Sequence, residues 1–236
     1  MNLAFSAIKR LAKHRGIPSV WNFSTETLAG IRRIGKERGR GQNTPLTYED
    51  FVTLLITCDQ PRKYAKKYET TAQAKERALV DRVIISMLFM ARMRRSEVAI
   101  LRWGDIQDRT NKNRLIVKVR RSKSIQEGSS DYRLLKTSAA DAVRKLWEAR
   151  QPLTDELVIP LTCRQIANRF QACCKHANLR GNLTAHSGRI GFARELITRG
   201  TSTESVALAG GWKSERMVSH YSQKARVEDG VVERYF

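Results

Sequence analysis

Apolar residues recur along this chain mostly with the period of a helix. Leu3, Ala7 and Leu11, interleaved with Lys9, Arg10 and Lys13, predict a helix over residues 2–14, and Leu28, Ile31 and Ile34 predict a second over 24–36. Gly16, Pro18 and Ser19 break the chain between them. The following KERGRGQNTP is polar, basic and Gly-containing, the composition of a linker. Thr47 and Asp50 have the spacing of a capping box ahead of Phe51, Leu54 and Leu55. Residues 60–75 are polar and lysine-rich and read as a loop entering a helix near Ala74. Leu79, Val80, Val83, Ile84, Met87, Leu88 and Ala91 then form an apolar stripe broad enough for a core helix.

A period of two appears once. Leu115, Val117 and Val119 alternate with Ile116 and Lys118 over 114–120, and a short apolar segment spans 132–135. With the polar stretch SKSIQEGSSD between them, these predict a β-hairpin with a long, mobile loop. Helices are predicted over 138–150, 163–177, 187–199, 203–209 and 215–220. After Tyr221, the residues Val227, Val231, Val232, Tyr235 and Phe236 put apolar groups on one side of a short terminal helix. The pattern shows no internal repeat and predicts a mainly α fold with a small antiparallel β-sheet, an α+β class.

Composition changes this picture in one respect. The 236 residues, 41% hydrophobic and 28% charged, suit one large soluble domain or a smaller one with an appendage. The 44 Lys and Arg against 23 Asp and Glu give a formal net charge of +21, a field that seeks a polyanion, nucleic acid first. Membrane-surface and ribosomal proteins share such a charge. The longest apolar run, residues 83–91, is far short of the roughly 20 residues a membrane-spanning helix needs. No secretory signal pattern follows the basic N-terminus, so a cytoplasmic, nucleoid-associated protein is expected. Cys58, Cys163, Cys173 and Cys174 form no CxxC pair and read as reduced thiols rather than metal ligands.

Candidate chemistry is concentrated in the last quarter, in the cadence HSGR, GGW, HY. His186 and Arg189 are three residues apart and share a helix face, Trp212 stands behind Gly210 and Gly211, and Tyr221 follows. Far upstream, Arg94 lies in ARMRRSEVAILRWGDI, with Arg92 and Arg95 as alternatives on chemistry alone. An arginine fork holds two phosphate oxygens at once. Imidazole exchanges protons near neutral pH, and an indole N–H donates to an oxygen. A phenol, with a pKa near 10, becomes a nucleophile when cations stabilise its phenolate. Together these are parts for phosphoryl transfer to a protein hydroxyl.

The same motifs resemble the catalytic domain of the tyrosine recombinases, the phage-integrase family, nearest in style to its Cre-like members. The resemblance covers about residues 44–236. It places the family's first arginine at Arg94, with Glu97 as its acidic neighbour ahead of Leu101-Arg102-Trp103-Gly104-Asp105-Ile106. It places the hairpin lysine at Lys123 in Arg121-Ser122-Lys123-Ser124, with Lys118 and Lys136 as competitors. The implied catalytic set is Arg94, Lys123, His186, Arg189, Trp212 and Tyr221. Implied with it is cleavage and rejoining of DNA strands through a 3′-phosphotyrosine, with no cofactor and no metal, because an ester replaces an ester. Double-stranded DNA would be the partner, no small molecule the substrate, and the assembly a homo-tetramer on two DNA sites joined through the C-terminal helix, 226–236. Residues 1–40 would be a partial N-terminal core-binding helical region with its linker, and 41–236 the catalytic domain. A type IB topoisomerase uses similar groups. The rival from another class is a non-catalytic DNA-binding accessory or decoy derived from a truncated integrase.

Overall fold

Residues Val83 to Phe89 are apolar on every side but for Ser86, and a helix without a polar face must be covered all round. In the structure, a computed structural model, this segment is the fully buried second half of helix α2 (Thr71–Phe89). The structure describes residues 10–17, 43–64, 67–109, 113–120, 131–212 and 214–228, without the side chains of Tyr64, Lys67 and 222–228. The chain divides into two compact units, Met1–Gln42 and Asn43–Phe236. In the first, residues 10–14 are helical, and the helix predicted over 24–36 lies outside the described residues.

In the second unit α2 is covered by α1 (Tyr48–Thr57), α4 (Thr137–Arg150), α5 (Cys163–His176) and α6 (Ser187–Thr198). The Thr47–Asp50 capping box forms as the sequence predicts, with Asp50 N–H donating to Thr47 Oγ1 at 3.0 Å and Thr47 N–H to Asp50 at 3.0 Å. It starts α1 so that Phe51 stacks on Phe89 of α2, with ring centroids 4.8 Å apart.

Residues 60–75 depart from the predicted loop. A short antiparallel pair, β1 (Lys63–Tyr64) and β2 (Lys67–Tyr68), precedes α2, which begins at Thr71 under a second capping box, Thr70–Gln73. Buried charge orders the segment. Arg62 N–H donates to the Glu69 carboxylate at 3.0 Å, Glu69 N–H donates back to Arg62 O at 2.9 Å, and Arg77 donates to Glu69 at 2.8 Å. Beneath them Asp81, fully buried on α2, accepts from Arg62, Arg77 and Arg169 at 3.0, 2.8 and 2.8 Å.

The predicted hairpin is present as β4 (Arg114–Val119) and β5 (Asp131–Lys136), paired Arg114 to Lys136 and Val119 to Asp131. A third strand, β3 (Ile106–Arg109), adds to the free edge of β4 and gives the order β3-β4-β5. It escapes the alternation rule because three of its four residues are exposed. Leu115, Val117 and Val119 face inward, and the sheet packs against α4.

The last three helices are α6, α7 (Thr203–Gly210) and α8 (Glu215–Glu228). Where the sequence predicts a helix over 215–220 and a separate terminal one, α8 runs unbroken through Tyr221, since no Gly or Pro intervenes before Glu228. Residues 229–236, with Val231, Val232, Tyr235 and Phe236, lie outside the described residues. These helices enclose a small core of Ile190, Ala193, Val206, Ala207, Val218 and Tyr221, distinct from the main one around α2. Helix α6 borders both. A Cβ at Gly191 would overlap the Leu46 carbonyl oxygen, and one at Gly188 would approach the Leu88 carbonyl oxygen to 2.6 Å. The glycines on either side of Arg189 therefore let α6 press backbone to backbone against its neighbours, which buries Arg189. Among the described residues no helix is long and apolar enough to cross a membrane.

Candidate active site

Five of the six residues singled out in the sequence come together where the end of α2, the start of α6 and the α7–α8 turn meet. After α2 the chain turns through Arg92, whose φ of 54° is left-handed, and reaches Arg94 at the N-cap of the one-turn helix α3 (Arg95–Val98). Glu97, 2% exposed, accepts from Arg94 N–H at 2.7 Å and from its Nη1 at 2.6 Å. The acid thus fixes both the backbone and the guanidinium of Arg94.

His186 is the N-cap of α6, its N–H donating to Thr184 Oγ1 at 3.2 Å. One turn on, Arg189 is 0% exposed. Its Nη1 donates to the carbonyl of Arg92, so the left-handed turn at Arg92 supplies the acceptor that aims Arg189. The opposite edge of the fork, Nε and Nη2, is buried with no hydrogen-bond partner among the described residues. The Trp212 ring lies over the Arg189 guanidinium, 4.4 Å from it.

The two glycines before Trp212 have separate tasks. Gly211, at φ 59°, ends α7 in a left-handed cap, with Trp212 N–H donating to Ala207 O at 2.9 Å. At Gly210 a Cβ would fall inside the folded-back Trp212 ring. On α8, Tyr221 is 9% exposed, its hydroxyl lies 3.1 Å from His186 Nε2, and its ring meets that of Trp212 edge-on, with centroids 6.2 Å apart. Lys123 lies outside the described residues, and its competitors Lys118 and Lys136 are exposed on β4 and at the end of β5.

The electrostatics follow from burial among cations. Burial, then Arg189 and Arg94, hold His186 below the usual imidazole value, so near neutral pH it is uncharged beside the phenol. Burial raises Tyr221, against the pull of Arg189, Trp212 and Arg94. Burial, reinforced by Arg94 and Arg133 and opposed by Glu97, brings Arg189 down to about 10. Burial with Arg133 and Arg189 brings Arg92 down to about 9. The site is a buried cluster of guanidiniums short of carboxylates, a field that an anion relieves.

Arg133 belongs to this cluster, and the sequence reading passed it over as part of an apolar segment. In β5 it shares the inward face with Leu135, leaving Tyr132 and Leu134 exposed. The signal available was an arginine at an inward register position, two residues from a buried leucine.

A mostly helical fold with a small three-stranded antiparallel sheet is shared with tyrosine recombinase catalytic domains. Residues 60–228 match the phage integrase family, and the chain belongs to it. Among solved structures it is similar to the XerH site-specific recombinase in a post-cleavage complex with palindromic difH substrate, with a TM-score of 0.61 and 18% identity over 81% of this chain and 54% of that one. It is similar to the XerA recombinase, with a TM-score of 0.59 and 14% identity over 80% of this chain and 65% of that one. A lambda integrase dimer bound to a COC' core site gives a TM-score of 0.55 and 17% identity over 92% of this chain and 63% of that one. The chain therefore spans between half and two thirds of the length of these relatives. A comparison with curated protein sequences gives no match.

Proposed function

We propose that this chain is a site-specific recombinase or integrase that cleaves and rejoins double-stranded DNA through a 3′-phosphotyrosine at Tyr221. The observation that carries the reading is the Nε–Nη2 edge of buried Arg189, without a partner among the described residues, beside the Tyr221–His186 pair. Leaving two buried cationic donors unmatched costs several kcal/mol, on the order of 1–3 kcal/mol for each group and more for a charged one. A phosphodiester offers the two oxygens that match this edge. The N-terminus of α6, a twelve-residue helix, adds a further positive end on the same side as His186.

In this reading Tyr221 Oη attacks phosphorus and its proton passes to His186 Nε2. The bond from phosphorus to the 5′ oxygen breaks, and Lys123 supplies the proton to that oxygen. Arg94, Arg189 and Trp212 stabilise the charge on the five-coordinate phosphorus with donors already in place. Attack by another strand's 5′-hydroxyl reverses the step and releases Tyr221. The direct test is incubation with nicked suicide substrates drawn from the flanking genomic DNA, followed by denaturing gels. A covalent adduct is expected, and its absence on all such substrates favours the non-catalytic DNA-binding alternative.

Arg94→Lys and Arg189→Lys keep the charge and lose the fork. Single-turnover cleavage should fall ten- to a hundredfold, about 1.4–2.7 kcal/mol of transition-state stabilisation, while affinity changes less than twofold. Parallel losses in binding and cleavage would mark both residues as ordinary backbone contacts.

The lowered pKa of His186 sets a sign for the pH dependence. Protonation removes its capacity to accept from Tyr221, and that protonation occurs below the ordinary imidazole value. The apparent second-order rate, which reports the free enzyme, should hold as pH falls through about 6.5 and decline only below it. His186→Gln should abolish this limb. The same limb in the variant, or one centred above the ordinary value, contradicts the assignment.

Assembly into a tetramer on two sites, through the C-terminal segment, belongs to the same reading. Deleting residues 229–236 leaves α8 whole. The truncated protein should bind single sites normally and form no synaptic complex on native gels, and normal synapsis would rule the segment out as the connector.

A further inference from the structure

We propose that Arg133 is a positioning residue that sets Trp212 against Arg189 and Tyr221. The inference rests on the function proposed above and concerns a residue outside that catalytic set.

Arg133 projects from β5, is almost wholly buried, and bridges two segments far apart in sequence. Both of its terminal nitrogens bind the Asp131 carboxylate, Nη1 also donates to Tyr132 O at 3.2 Å, and Nη2 donates to the Gly210 carbonyl at 3.3 Å. Gly211 is pressed onto the same pair, because the space a Cβ would take there is occupied by Arg133 Nη2 and Asp131 Oδ2. The Arg133–Asp131 pair is therefore the floor on which the Gly210–Gly211 turn rests. Trp212 leaves that turn directly, lies over the Arg189 guanidinium and packs edge-on against the Tyr221 ring, with centroids 6.2 Å apart.

A merely structural arginine would fasten the sheet to a helix at any convenient point. This one fastens it at the carbonyl two residues before the indole, in a turn whose left-handed cap already restricts where the ring can go. Lysine in its place keeps a charge for Asp131 but cannot span Asp131 and the Gly210 carbonyl with one planar fork. The turn would then be free to tilt, and the indole would move with it.

The test uses the full chain labelled with 5-fluorotryptophan, in wild type, Arg133→Lys, Arg133→Met, Trp212→Phe and the Arg133→Lys/Trp212→Phe double variant. Trp212→Phe identifies the Trp212 fluorine resonance among those of the four tryptophans. In both Arg133 variants that resonance should shift while the other three hold. The single-turnover adduct rate at saturating DNA should fall at least tenfold with affinity within twofold. The double variant should be no slower than Trp212→Phe alone, since Arg133 acts through the ring. An unmoved Trp212 resonance, even with a lowered melting temperature, or a double variant slowed by the product of the two single effects, overturns the proposal. If wild type forms no adduct, the functional reading fails on its own, and the fluorine spectra still decide whether Arg133 places Trp212.

Discussion

Replacing Tyr221 with phenylalanine should abolish covalent adduct formation entirely while DNA affinity stays within twofold of wild type. The ring of Tyr221 is part of the small core with Val218, Ile190 and Val206, and phenylalanine keeps that packing. What disappears is one oxygen, with its 3.1 Å contact to His186. The His186 nitrogen then loses a partner, a cost of roughly 1–3 kcal/mol that the fold should survive. Arg94, Arg189 and His186 are untouched, so phosphate binding should persist. The measurement pairs a denaturing gel for the adduct with a gel shift for binding. An adduct from Tyr221→Phe, or its loss on Tyr235→Phe alone, would assign the nucleophile elsewhere.

Tyr221 also shows what the sequence made legible. His186 and Arg189 were placed on one face by spacing alone, and the structure seats them as cap and first turn of one helix, with Arg189 N–H donating to His186 O at 3.1 Å. The buried half of α2, the Thr47 cap and the β4–β5 pairing followed from apolar periodicity and capping chemistry, which act locally. Features decided by contacts remote in sequence were not legible. Strand β3 has no inward face of its own to announce it and is held by backbone pairing to β4. The 60–75 segment reads as solvated charge because nothing local says that Arg62, Glu69 and Arg77 close on one another over Asp81. Arg133 belongs to the same class, being an arginine whose partners lie beside it at Asp131 and 77 residues away at Gly210. The left-handed turn at Arg92 likewise has meaning only once Arg189 reaches its carbonyl.

Asp81→Ala should be among the most destabilising single substitutions in the described part of the chain, by about 3–5 kcal/mol, the range for removing one partner from a buried ion pair. Asp81 has no exposed surface and faces three guanidiniums, from Arg62 on the segment ahead of α2, Arg77 one turn earlier on α2, and Arg169 on α5. Alanine leaves all three cations crowded around the space the carboxylate filled, and among the described residues only Arg77 keeps an ion pair, with Glu69. Set against a domain stability of about 5–15 kcal/mol, the loss would leave the fold marginal at 37 °C. Asp59 provides the contrast, since its pair with Arg82 on the same helix is 43% exposed on the acid side. Asp59→Ala should cost less than about 1 kcal/mol, as exposed pairs do. Urea unfolding of the two variants beside wild type measures both. A shift in midpoint with unchanged slope for Asp81→Ala is the expected result. Equal, small shifts for the two variants would mean that water reaches the Asp81 network and that the order of residues 60–75 has another source.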